Sequence, residues 1–306
     1  MIALSFPNIE VLKQTHFAAV RSYVCEIMRP DARENFYQSV IALPSFENYP
    51  KVYDSQNDNF EWLKQFLLAD YRTLESWVEN YAHLLTFDYM KKVYLNRFSK
   101  GLSDFVDRQC TYNSYTLYRL MDVKVCPYCE HEFIEVVEIN GQDRRTMEFD
   151  HYFPKGEKEY PGLAMCFYNL IPSCKPCNQP KKTNPVAASP YDPYIEKLTH
   201  FGTNLPLGVN MNSVGVAQCE PKLNPAGGMV INNESLGIEQ RYKQLAPDVL
   251  NLLKNKQNYD DNKIREMERC GFGDFEVLKR AMFGNPRSEA SGQELHTKMK
   301  EDLIDY

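Results

Sequence analysis

A chain of 306 residues, 43% of them hydrophobic and 25% charged, carries enough apolar material for more than one packed unit and is not the composition of a disordered polymer. No apolar run approaches the roughly 20 residues that span a bilayer. The start, MIALSFPNIEVLK, lacks a basic leader followed by an apolar stretch, so a cytoplasmic protein without membrane contact is expected. The formal net charge is −6 and the pI is near 5.6, whereas proteins that grip nucleic acid by neutralising phosphates usually show a basic surface. Any nucleic-acid binding by this chain is therefore expected to be local, weak or assisted by a partner.

Residues 1 to about 118 read as mostly helical, with apolar groups at helical spacing from Asp70 to Leu85 and again from Phe87 to Phe105. A loop rich in Asn, Asp, Ser and Pro, Pro44 to Asn59, separates these helices from an earlier pair. A helical scaffold is the simpler reading of this region. Its aromatic load (Tyr81, Phe87, Tyr89, Tyr94) suggests a docking surface for a partner as the sharper one.

The character changes at Cys126. Glu132 to Ile139 is rich in β-branched and aromatic residues, Asn140-Gly141 is a hairpin turn signal, and Arg145 to Phe149 is expected to return as the second strand. That hairpin would deliver Asp150-His151 at a strand end. Asn169-Leu-Ile-Pro follows as a short extended piece, and Pro176 stands where a first helical turn tolerates proline. Ser189 to Glu234 reads as loop or extended chain. Helices return over Ile238–Tyr259, Asn262–Arg269, Asp274–Phe283 and Gln293–Ile304. Three regions result: 1–118 helical, 119–190 the chemically dense core, and 191–306 a loop-rich segment followed by helices.

Of nine cysteines, Cys25, Cys110, Cys166, Cys219 and Cys270 are scattered singly and read as small buried hydrophobes. The others form two CxxC pairs, Cys126-Pro-Tyr-Cys129 and Cys174-Lys-Pro-Cys177. In a reducing compartment such pairs are more often metal ligands than disulfides. Two knuckles complete the closed tetrahedron of a structural zinc, with no position left to activate water. Reduced cysteines lying near each other by accident, or a redox-active CxxC, are the alternatives.

Between and beside the knuckles lie Glu148-Phe-Asp150-His151-Tyr-Phe-Pro154-Lys155, Tyr168-Asn169-Leu170 and Cys177-Asn178-Gln-Pro-Lys181-Lys182. Phosphodiester hydrolysis needs a base for water, a cation at the phosphate and something to hold the base. Asp150 offers a hard oxygen suited to Mg²⁺ or Mn²⁺. The unperturbed pKa of a histidine lies near neutrality, so His151 can be the base. Lys155, Lys181 and Lys182 are candidate phosphate contacts. Singly, each residue has a plainer explanation: an Asp-His pair at the surface, Asn169 in a turn, Asn178 at a helix start, lysines on a solvated face.

The order DHxxP, YNL and CxxCNxxK, bracketed by the two knuckles, resembles the HNH (ββα-metal) endonuclease motif in its four-cysteine form. The resemblance implies an α+β protein with a zinc-stapled ββα core flanked by helical regions. It implies His151 as general base, Asp150 and Asn178 as ligands of a catalytic Mg²⁺ or Mn²⁺, and Asn169 as the residue that orients the base. The last motif position is often histidine; Asn178 there implies one ion, weakly held through mostly oxygen ligands. Further likeness lies in His151-Tyr-Phe-Pro-Lys155, Phe167 to Cys174 and Arg241-Tyr242. These are similar to HNH subunits of Septu-type and retron-associated anti-phage systems, which implies an effector nuclease working beside an ATPase partner, with DNA favoured over RNA as target. The likeness is carried by residues 126–182, loosely by the C-terminal helices and not by the N-terminal region. A catalytically silent zinc module binding nucleic acid or protein, a defence subunit whose nuclease core has decayed, and an HNH nuclease directed at tRNA stay open as alternatives.

Overall fold

Helix α1 (Ile9–Ile27) turns Leu12, His16, Val20, Tyr23 and Val24 inward at helical spacing. The computed structural model from which this is read describes residues 1–100, 112–156, 159–179, 187–206, 208–285 and 291–304; Cys110, Lys181 and Lys182 lie outside the described residues. Packing divides the chain into two compact units, one made of Met1–Leu4, Lys124–Phe133 and Gln179–Tyr306, the other of Ser5–Val123 and Ile134–Asn178.

In the second of these units, α2 (Pro30–Ile41), α3 (Glu61–Leu67) and α4 (Tyr71–Tyr81) follow α1. The Asp70 side chain caps α4, accepting from the Thr73 amide at 2.8 Å, a contact that contributes about 1 kcal/mol. Their core is aromatic. Phe66 stacks on Trp77 at 5.7 Å, Phe36 meets Trp62 edge-on at 5.2 Å, and Phe87 packs on Phe36 at 5.3 Å. Tyr89 also packs on Phe36, at 5.7 Å, so these two aromatic side chains are spent on the unit's own interior. The segment expected as one helix from Phe87 is α5 (Tyr89–Val93) followed by a π-helical turn over Tyr94–Phe98, closed by the Ser99 amide donating to the Tyr94 carbonyl at 2.8 Å. Helix α6 (Ser114–Met121) begins with a capping box, the Asn113 side chain accepting from Thr116 while the Thr116 hydroxyl accepts from the Asn113 amide.

Strands β1 (Val136–Ile139) and β2 (Gln142–Arg145) form the expected hairpin. Its turn residues Asn140 and Gly141 take φ of 53° and 74°, the left-handed pair that a two-residue hairpin turn requires. One expectation is corrected here: the strand carrying Asp150-His151 is not the return strand of that hairpin. Strand β3 (Met147–His151) leaves it at Thr146 and pairs antiparallel with β4 (Leu170–Cys174), in the register Met147↔Cys174 through His151↔Leu170. The physical reason is polarity. Glu138, Asp143, Arg144 and Arg145 keep the hairpin on the surface, whereas four of the five β3 residues and all of β4 are buried and satisfy each other. Helix α7 (Lys175–Asn178) follows β4 directly, giving strand, strand, helix in order.

In the other unit, Asn- and Pro-rich chain expected as loop contains a ladder of β5 (Thr199–Gly202) with β6 (Lys222–Pro225) and a helix, α8 (Gly228–Leu236). Tertiary contact overrides weak local propensity in α8. Buried Asn232 accepts from the Ala187 amide at 2.6 Å and donates to the Ala188 carbonyl at 2.8 Å, and a Cβ on Gly228 would sit 2.5 Å from the Ala187 carbonyl oxygen. The predicted helix 238–259 is broken into α9 (Ile238–Tyr242), a 3-10 turn and α10 (Ala246–Asn258), with Pro247 in the first turn of α10. Helices α11 (Asp261–Arg269), α12 (Phe275–Phe283) and α13 (Thr297–Ile304) complete it, around Ile264, Leu278, Phe283 and Ile304. Cys166 and Cys219 are buried as expected, but Cys25 and Cys270 are exposed, on the solvent side of α1 and at the end of α11. The described elements thus mix helices with small two-stranded sheets, an α+β arrangement, and no described helix is long and apolar enough to cross a membrane.

Candidate metal and catalytic centre

The first knuckle is a tight turn closed by an isolated bridge between Val125 and Phe133. The Cys126 amide donates to the Glu132 carbonyl at 3.0 Å and the Glu130 amide to the Cys126 carbonyl at 2.8 Å, with Glu130 in the left-handed region. The His131 amide lies 3.4 Å from the Cys129 sulfur. Residues far along the chain brace this turn: the Tyr242 hydroxyl donates to the Cys129 carbonyl at 2.7 Å, and the buried Glu130 carboxylate accepts from the Thr297 hydroxyl at the start of α13. Cys174 and Cys177 come from the end of β4 and from α7. All four cysteines are buried, and their sulfurs lie within 4.8 Å of one another. Sulfurs at tetrahedral corners about 2.3 Å from a zinc ion would stand ~3.8 Å apart, so the four fit that ion with small adjustments.

Asp150 and His151 stand at a strand end, that of β3, and both are buried. The His151 ring is held from several sides. Its Nε2 lies 3.0 Å from the Ala164 carbonyl oxygen, its Nδ1 lies 3.0 Å from Lys155 Nζ, and Tyr94 meets the ring edge-on at 4.5 Å. A carbonyl only accepts, so Nε2 carries the proton and Nδ1 is the acceptor nitrogen.

Asn169, fully buried, ties the loop between β3 and β4 shut. Its Oδ1 accepts from the Phe153 amide at 2.7 Å, while Nδ2 donates to the carbonyls of Phe153 at 3.1 Å and Leu163 at 2.9 Å. Asn178, half-buried on α7, donates through Nδ2 to Glu148 Oε2 at 2.5 Å. A carboxylate can only accept, so this contact orients the amide and turns Oδ1 away from Glu148. Glu148 and Asp150, two apart on β3, share one face of the strand. Lys155 is half-buried, with its ammonium also 4.6 Å from the centre of the Tyr94 ring.

Two participants were not assigned from sequence. Glu148 could have been found by its period-two spacing from Asp150. Tyr94 could not, since it comes from the π-helical turn, an irregularity often found at functional sites, and no local signal ties it to β3. Burial pushes the Tyr94 hydroxyl up to about 12; Arg145 opposes this, and Asp150 and Glu148 reinforce it.

Comparison with known proteins gives one partial likeness. Over 59 residues the chain is 39% identical to the Septu protein PtuB of Bacillus thuringiensis. That stretch is 19% of this chain and 20% of the relative, so the match spans about a fifth of either protein. No family model matches the chain, and no solved structure matches it. The likeness and the buried four-cysteine cluster both agree with the sequence reading as far as they reach.

Proposed function

We propose that the chain is a metal-dependent endonuclease of the HNH type that hydrolyses phosphodiester bonds, in DNA rather than RNA, as the effector of an anti-phage system. The observation that carries this reading is the orientation of His151: Nε2 on the Ala164 carbonyl, and Nδ1 as the nitrogen able to take a proton from water. Asp150 and the Oδ1 of Asn178 would hold the cation, and Glu148 grips the Asn178 amide so that its oxygen keeps one direction. A bound Mg²⁺ or Mn²⁺ supplies charge neutralisation at the phosphate and the leaving oxygen. Asn169 keeps the loop closed around the base. Lys155 yields Nδ1 to the entering water and turns its cation to the phosphate, with Lys181 and Lys182 as further contacts on the following chain. Tyr94 packs on the imidazole and keeps bulk water from that side.

The four cysteines hold a structural zinc, whose binding energy is folding energy for the segments that carry them. The partial likeness to a Septu protein supports the defence role. The net charge of −6 supports dependence on an ATPase partner that contributes DNA affinity. The test is cleavage of plasmid DNA with Mg²⁺ or Mn²⁺ by the zinc-loaded wild type and His151→Ala, alone and with the proposed ATPase partner. Cutting by the wild type and not by His151→Ala is the expected result. Retained cutting by His151→Ala at equal zinc content would sink the base assignment.

A further inference from the structure

Helix α1 buries a histidine that no part of the motif accounts for. His16 is fully buried, edge-packed on Phe98 at 6.3 Å, Tyr112 at 5.9 Å and Phe167 at 5.7 Å. An apolar side chain would suit such surroundings without needing partners; the imidazole is tolerated because both of its nitrogens are bonded. Nε2 lies 2.8 Å from the Met165 carbonyl and Nδ1 2.8 Å from the Tyr112 hydroxyl. The carbonyl fixes the proton on Nε2, so the Tyr112 hydroxyl donates to Nδ1. Burial lowers the pKa of the ring to about 4, against the opposing pull of the Met165 carbonyl, so the ring is neutral at physiological pH and this arrangement persists.

The Met165 carbonyl is the last of three in a row, each taken by a different side chain. The Leu163 carbonyl accepts from Asn169 at 2.9 Å, the Ala164 carbonyl from His151 at 3.0 Å and the Met165 carbonyl from His16 at 2.8 Å. All three belong to the buried 3-10 turn Pro161–Met165; the Leu163 carbonyl also accepts from the Cys166 amide at 3.1 Å, whereas those of Ala164 and Met165 stand at the C-terminal end of the turn, where side chains take them. The Ala164 and Met165 peptide planes meet at the Met165 Cα, and because Met165 is fully buried its φ and ψ are held by packing, which couples the directions of the two carbonyls.

We propose that His16 is a positioning residue for His151: by holding the Met165 carbonyl, it sets the direction of the adjacent Ala164 carbonyl and so keeps His151 in the tautomer with Nδ1 as acceptor. The proposal rests on His151 being the general base. It makes the N-terminal helical region part of the machinery of the site as well as its support. His16→Phe removes both hydrogen bonds and keeps a ring; His16→Gln restores a donor near the Nε2 position.

The tautomer of His151 is read from imidazole ¹⁵N shifts in histidine-labelled, zinc-loaded full chain, with His151→Gln assigning the signal. The kcat and KM for plasmid DNA are measured on the same samples. The expected result is a single Nε2–H tautomer in wild type and His16→Gln, and a mixture in His16→Phe. In His16→Phe kcat should fall on the order of tenfold with KM nearly unchanged. If His16→Phe keeps the wild-type tautomer and kcat and loses only thermal stability, the proposal is overturned. A wild type that cuts neither alone nor with the ATPase partner, combined with a tautomer lost in His16→Phe, would leave the positioning role standing and refute the nuclease reading. Should His16→Phe fail to fold, Tyr112→Phe, which removes the hydroxyl on Nδ1 and leaves its ring, is judged by the same two readouts.

Discussion

Replacing Asn169 by alanine removes three hydrogen bonds at once, and the structure fixes what is left behind. The Phe153 amide and carbonyl and the Leu163 carbonyl all lose the partner that lay between 2.7 and 3.1 Å away. Each net bond is worth about 1 kcal/mol, and a buried group left without a partner costs about 1–3 kcal/mol. Water can reach the half-buried Phe153 backbone, and the Leu163 carbonyl keeps the Cys166 amide at 3.1 Å. The loss should therefore fall near 3 kcal/mol, a large part of the ~5–15 kcal/mol that holds a typical domain together. Denaturant unfolding of the zinc-loaded protein measures it, with Asn169→Asp beside it. Aspartate keeps the acceptor for the Phe153 amide but sets a carboxylate against two carbonyls, so it should be at least as destabilising as alanine. Because the same loop supplies the Ala164 carbonyl to His151, cleavage per folded molecule should fall in both variants. A stability loss below about 1 kcal/mol in Asn169→Ala would refute the reasoning, since three bonds at a fully buried side chain could not then be holding the loop.

Cys174→Ser, or chelation of zinc, should disorder the segment that carries α7 and lower stability by several kcal/mol, read by circular dichroism against zinc content. A zinc-free protein of unchanged stability would contradict the structural role of the four sulfurs. Glu148→Ala should raise the Mn²⁺ concentration needed for half-maximal cleavage by about 10–100-fold, while Glu148→Gln, which can still accept from Asn178, should do less; equal effects of the two would argue against an orienting contact. The pKa of His16 in the folded state lies below its ordinary value, so the unfolded chain binds more protons there, and stability is lost as pH falls from 6.5 towards about 4. Between pH 7 and 4.5 the wild type should lose about 2 kcal/mol more than His16→Gln, as measured by urea unfolding at both values.

Several pieces were legible from residue type and short spacing. Two CxxC pairs name a four-sulfur site because each knuckle is local, and the structure brings Cys126, Cys129, Cys174 and Cys177 together. Asn140-Gly141 names a hairpin because so few residues tolerate positive φ, and that turn is present. Helical periodicity located most of the C-terminal helices to within a few residues. Which elements meet was not legible in local pattern. The hairpin and the strand bearing Asp150-His151 are adjacent in sequence and look continuous, yet burial sends β3 to β4 across an intervening loop, because that pairing satisfies two buried backbones at once. Tyr94 on the imidazole and His16 under the Met165 carbonyl were illegible for the same reason. Both lie on helical segments whose apolar spacing reads as ordinary core, and their contacts with the end of β3 and with the β3–β4 loop are set by packing over long sequence separations, which local pattern does not encode.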